Sequence, residues 1–143
     1  MQRKGLCCMQ NPESFNWYRF AQMDLLAADI LNKHAYPKPL EIICYHAQQF
    51  AEKMFKGFLV ANDVAPPKKH DLPLLCDLCV AINSRFEVLS DISDFLTLFG
   101  VQPRYPNELE VLDDDAERAL RSMQKIMVFF RENGIAIEPD LEL

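Results

Sequence analysis

Leu40-Glu41-Ile42-Ile43-Cys44-Tyr45-His46-Ala47-Gln48-Gln49-Phe50-Ala51-Glu52-Lys53-Met54-Phe55-Lys56-Gly57-Phe58-Leu59-Val60-Ala61-Asn62 reads as one long helix, and the rest of the fold follows from its patterning. Ile43, Ala47, Phe50, Met54, Phe58 and Ala61 recur at steps of 4, 3, 4, 4 and 3 residues. That spacing stacks apolar side chains along one face of an α-helix. Glu41, Gln48, Glu52 and Lys56 are expected on the opposing face, with Glu52 and Lys56 in the favourable acid-before-base order. A polar ridge of His46, Gln49 and Lys53 lies between the two faces. A helix with one apolar stripe must bury it against other elements, so the flanking segments decide the architecture.

They are all helical in pattern. Upstream, Tyr36-Pro37-Lys38-Pro39 interrupts the periodicity, since prolines cannot continue a helix. Before it, residues 12–33 form a first helix, with Asn11 as N-cap and Pro12 at the first helical position. At about 100° per residue, Arg19, Gln22, Asp29 and Lys33 share one face and Trp17, Phe20, Ala27, Ala28 and Leu31 the other. Asp24 projects into the apolar side. Downstream, a proline-containing loop leads to Asp71, read as the N-cap of a short third helix buried through Leu75, Leu78, Cys79 and Ile82. Ser84 with Glu87 reads as a capping box opening a fourth helix, with Val88, Leu89, Ile92, Phe95, Leu96 and Phe99 inward and Gly100 as its C′ residue. Asn107 with Glu110 suggests another capping box. It opens a fifth helix running to about Asn133, with Leu112, Ala116, Ala119, Met123, Ile126 and Phe130 inward and Gly134 as the stop. The expectation is an all-α, antiparallel up-and-down bundle of four to five helices spanning residues 13–134, with an extension at 1–12 and an irregular tail at 135–143.

Composition narrows the function classes. At 143 residues and half apolar, the chain can bury one core. No apolar run approaches the roughly 18 residues of a membrane span, and no leader peptide is evident, so a cytoplasmic protein is expected. A net charge of −6 argues against broad binding to nucleic acid, though not against a local basic site. The five cysteines are odd in number and irregularly placed, which is no disulfide framework. Cys76 and Cys79 are spaced as in redox and zinc motifs but lack a second ligand pair or a βαβ setting, so two small core residues are the better account.

Phosphate loops, zinc-protease helices and nucleophile elbows are missing from the sequence. Asp113, Asp114 and Asp115 diverge around a helix and suit its N-terminal dipole better than a metal. Asp24 is different. A carboxylate on an apolar face must find donors or sit at a hydrated cleft. His46, Gln49, Lys53 and the loop residue Arg104 are the expected donors, serving either a structural ion pair or a site. Lys69, in the basic Lys68-Lys69-His70 run, is either a phosphate contact or a solvated loop residue.

The run from Cys44 to Leu59 resembles the second helix of HEPN domains (higher eukaryotes and prokaryotes nucleotide-binding). Ala21-x-x-Asp24-Leu25-x-x-Ala28, Lys69-His70-Asp71-Leu72 and Arg104-Tyr105-Pro106 follow the family's order, and the likeness covers about residues 13–132. The resemblance implies a prokaryotic helical bundle, commonly a homodimer and often paired with a minimal nucleotidyltransferase in a toxin–antitoxin-like couple; no cofactor is expected. Many members are metal-independent ribonucleases that pair an arginine with a histidine a few residues on. His supplies proton transfer and Arg offsets phosphate charge. Here no histidine follows Arg104. The expected function is therefore a non-catalytic nucleotide- or phosphate-binding module using Asp24, His46, Gln49, Lys53, Lys69 and Arg104. The alternatives are a ribonuclease in which His46 or His70 joins Arg104, and a purely structural dimerisation module.

Overall fold

The second helix of the pattern is the central rod of the fold. In the computed structural model, which describes residues 12–100 and 110–135, it runs over Leu40–Ala61 (α2). From Phe50 to Val60 every residue except Lys53 is buried, so the rod is covered on more than one face. Its expected stripe is buried, with Ala61 half-exposed at the end. α2 closes where Asp63 adopts the left-handed conformation (φ 61°) and Val64 N–H reaches back to Leu59 O at 2.9 Å, a Schellman closure with an aspartate in place of the usual glycine.

α1 (Pro12–His34) packs along α2. Its contact is tight at Gly57, where a Cβ would stand 2.6 Å from Tyr18 Cε1 and 3.1 Å from Trp17 Cβ. The Ser14 hydroxyl donates to Gly57 O at 2.9 Å across the same contact. The inward face of α1 is turned from the one expected. Tyr18, Ala21, Gln22, Leu25 and Ala28 are buried, while Phe20 is 46% exposed beneath the Arg19 guanidinium. Apolar residues ring this helix almost completely, so periodicity alone could not set its phase. Asp24 is buried, as expected, at the margin of the inward face.

α3 (Leu72–Ile82) starts as read, with the Asp71 carboxylate accepting from Leu74 N–H at 3.1 Å. Leu75 and Cys79 are buried, whereas Ile82 emerges into solvent. The single fourth helix expected from Ser84 is instead three short pieces. A 3₁₀ segment covers Ser84–Leu89, α4 covers Ser90–Leu96, and a second 3₁₀ turn covers Thr97–Phe99. Asn83, not Ser84, is the cap, accepting from Arg85 N–H at 3.1 Å. The tighter winding turns Phe86 fully inward and leaves Val88 exposed. Phe86 then touches the rings of Phe55, Phe58, Phe129 and Phe130, edge to face in all but the tilted Phe58 pair. Gly100 has ordinary right-handed angles, so it is no left-handed C′ residue.

α5 (Asp113–Glu132) lies against α2. It begins later than expected, because the Asp115 carboxylate turns back to accept from Leu112 N–H at 3.0 Å. Asn107 lies outside the described residues, Glu110 precedes the helix, and Leu112 is exposed at the cap. The rest of the stripe is buried, and Gly134 (φ 79°) ends the helix with Ile135 N–H bonded to Phe130 O at 3.0 Å. The described residues thus form an all-α bundle of five helices with no strand among them, and no helix there is long and apolar enough to cross a membrane.

Candidate functional site

Two carboxylates set the chemistry of α2, one on each flank. On the α1 side, Asp24 meets the ridge. His46 and Lys53 are seven residues apart, two turns of one helix face, so both can reach a single group on the facing helix. His46 Nδ1 lies 2.8 Å from Asp24 Oδ1, and Lys53 Nζ contacts Asp24 Oδ2. A carboxylate only accepts, so the imidazole donates from Nδ1, leaving Nε2 at its other edge. The Asp24 side chain is 10% exposed and those of His46 and Lys53 are each 25% exposed. One acid is sunk between the helices while two basic groups keep a foothold in solvent.

Gln49 stands between His46 and Lys53 on the helix but does not reach Asp24. Its Nε2 donates to Gln48 Oε1 at 2.8 Å. That bond leads into the second cluster, on the face expected to be solvated. Gln48, Glu52 and Lys56 are all buried there, because α3, α4 and the turn that follows pack over this side of α2. Glu52 gathers Gln48 Nε2 at 3.0 Å, Lys56 Nζ at 2.9 Å and His70 Nδ1 at 2.9 Å. Burial by itself raises the Glu52 carboxyl, but hydrogen bonds from Lys56, His70 and Gln48, with the Lys56 charge, outweigh it and hold it below the ordinary glutamate value. Lys56 Nζ also lies 5.7 Å from the Trp17 ring centroid. The signal for this cluster was present in the sequence. Gln48, Glu52 and Lys56 share one face of α2, and His70 follows in a loop short enough to return to it.

Of the six residues expected at the site, three come together: Asp24, His46 and Lys53. Gln49 adjoins them through the helix and bonds elsewhere. Lys69 is exposed, and among the described residues no hydrogen bond or ion pair ties it to the others. Arg104 lies outside the described residues. His70, one of the two histidines expected as an alternative partner of Arg104, is committed to Glu52 with 66% of its side chain exposed.

The Cys76/Cys79 pair is part of the core. Cys76 Sγ donates weakly to Phe86 O at 3.6 Å and Cys79 Sγ to Phe55 O at 3.7 Å. Burial pushes both thiols up, and pushes the Cys44 thiol up to about 12. Protonated, enclosed thiols neither bind metal nor exchange disulfides readily.

Asp24 of α1 is thus met by His46 and Lys53 of α2, and Glu52 of α2 by Lys56 of the same helix and His70 just before α3. The HEPN domain model matches residues 15–133, and the chain belongs to the HEPN family, a family of nucleotide-binding and ribonuclease-type modules. Comparison with curated proteins gives no match, and comparison with solved structures gives none.

Proposed function

We propose that this HEPN protein binds a nucleotide or RNA phosphate at the Asp24–His46–Lys53 cluster and does not cleave it. One observation carries the reading. A single carboxylate holds an imidazole and an ammonium side by side, each a quarter exposed. Lys53 has donors to spare beyond the one given to Asp24, so phosphate oxygens can be met without breaking the existing contacts. Arg104 and Lys69, expected from the sequence, would add further positive charge if they reach the same ligand. Family membership supports the wider setting: a cytoplasmic prokaryotic homodimer acting with a minimal nucleotidyltransferase in a toxin–antitoxin-like pair.

A second reading is favoured by one feature of the same cluster. A carboxylate on Nδ1 orients an imidazole and leaves Nε2 for proton transfer, the arrangement a general base requires. With Arg104 at the phosphate, His46 would make the site a ribonuclease.

Incubating the protein with labelled nucleotides and single-stranded RNA separates the two. Retention without cleavage, lost in Lys53→Met while the melting temperature stays within a few degrees, is the expected result. Cleavage that disappears in His46→Ala establishes the ribonuclease. Equal retention by Lys53→Met and the parent overturns the assignment of this cluster.

A further inference from the structure

α1 packs along α2 and only grazes α5, so the described elements leave its far side open. That side is apolar. Phe15, Phe20, Met23, Leu26 and Ile30 stand outward there, each between 39% and 50% exposed. At about 100° per residue they share one arc of the helix, across from the buried Tyr18, Ala21, Leu25 and Ala28. A single exposed apolar side chain is ordinary, whereas five on one arc form a contiguous patch of the kind that partners cover.

The size of the patch suits a partner of protein size. A large apolar side chain presents roughly 200 Å², so five at nearly half exposure offer on the order of 450 Å². A standard interface takes about 800 Å² from each partner, a little over half of it apolar. The stripe alone meets that apolar share. Its order is also self-complementary. Phe20 and Leu26 lie three residues to either side of Met23, with Phe15 eight before it and Ile30 seven after. Reversed, the stripe therefore falls on itself, Met23 on Met23, Phe20 on Leu26 and Phe15 beside Ile30. A two-fold interface requires such a surface, because both copies present the same one. The charges favour the reversed direction. In that register Arg19 of one copy comes within a turn of Asp29 of the other, on the same side of the axis. A parallel pairing would set Arg19 against Arg19.

We propose that a second copy of this chain covers the outer face of α1, the two helices packing antiparallel about a two-fold axis beside Met23. This deepens the homodimer of the proposed function by giving it a surface, and it rests on that part of the reading. The phosphate assignment stands apart, since none of the five side chains belongs to the Asp24–His46–Lys53 cluster.

Sedimentation equilibrium on the full chain tests this. The parent is expected to be a dimer at micromolar concentration. Met23→Glu sets two like charges face to face at the axis and should raise the dissociation constant at least ~100-fold. Its helical content by circular dichroism should match the parent's, because Met23 is half exposed. A parent that stays monomeric overturns the inference together with the homodimer. A dimer that survives Met23→Glu overturns the assigned face and leaves the homodimer standing. If the substitution costs helical content, NMR on the parent decides. Mixing copies that carry different isotope labels should give contacts between the Leu26 methyls of one and the Phe20 ring of the other. No contact between copies at α1 overturns the proposal, and Phe20 meeting Phe20 overturns the antiparallel register.

Discussion

Replacing Asp24 by Asn keeps the shape of the side chain and removes its charge, which isolates what the carboxylate does between α1 and α2. In the native chain it receives Nδ1 of His46 at 2.8 Å and contacts Lys53 Nζ. Each hydrogen bond to a charged group contributes roughly 1.5–3 kcal/mol. The two partners are a quarter exposed, so solvent screens part of that and an amide recovers part of one bond. A net loss of about 2 kcal/mol follows, between the values for surface and fully buried pairs. For a chain of this size, at roughly 4 °C per kcal/mol, the thermal midpoint should fall by about 8 °C. The loss has a signature beyond its size, because in Asp24→Asn the Lys53 ammonium is left without its acid. Adding Lys53→Met should therefore restore stability, giving a coupling energy of about 1 kcal/mol or more in a double-mutant cycle. Differential scanning calorimetry on the four proteins measures it. An Asp24→Asn midpoint within about 1 °C of the parent, or strictly additive single effects, would refute the view that Asp24 organises these side chains.

Glu52→Gln should cost about 3 kcal/mol at neutral pH by leaving Lys56 buried without its acid. Glu52 is held below its ordinary value in the folded chain, so the unfolded state takes up that proton first as pH falls. The native advantage is complete above the ordinary glutamate range and drains as pH drops through the lowered folded value. Urea titrations across that window should show a shallower acid loss for Glu52→Gln than for the parent. Gly57→Ala should destabilise by about 1–3 kcal/mol, because its Cβ meets Tyr18 and Trp17 where α1 crosses α2. A midpoint equal to the parent's would show that α1 slides freely to admit a methyl group. Iodoacetamide should leave Cys44, Cys76 and Cys79 unmodified in the native protein and label all three after unfolding, as read by peptide mapping.

Much of the fold could be read before any coordinates, and the gaps have identifiable causes. α2 was clear because its apolar residues repeat on one face, and α1 because Pro12 and the Tyr36–Pro39 stretch bound a long apolar run. The Asp24 cluster was readable because an acid amid Leu25, Ala28 and their neighbours requires donors, and only a few polar residues of α2 could supply them. The burial of Glu52 is not legible in the sequence, because a polar face opposite a core stripe ordinarily meets water. Here later helices cover it, and pairing with Lys56 and His70 makes burial tolerable. The 3₁₀ winding over Ser84–Leu89 was hidden for a related reason. A helix drawn at the α period places Val88 inward, whereas the tighter turn places Phe86 there, against the aromatic residues of α2 and α5.

The central claim is that Asp24 holds His46 and Lys53 for a phosphate. The most direct measurement is a nucleotide titration followed by NMR on the three histidine rings and the lysine ammonium groups. The account predicts saturable shifts confined to His46 and Lys53, with His34 unmoved and the Lys53→Met protein unresponsive. Shifts centred on His70 and Lys56, or a spectrum unchanged at millimolar nucleotide, would contradict it.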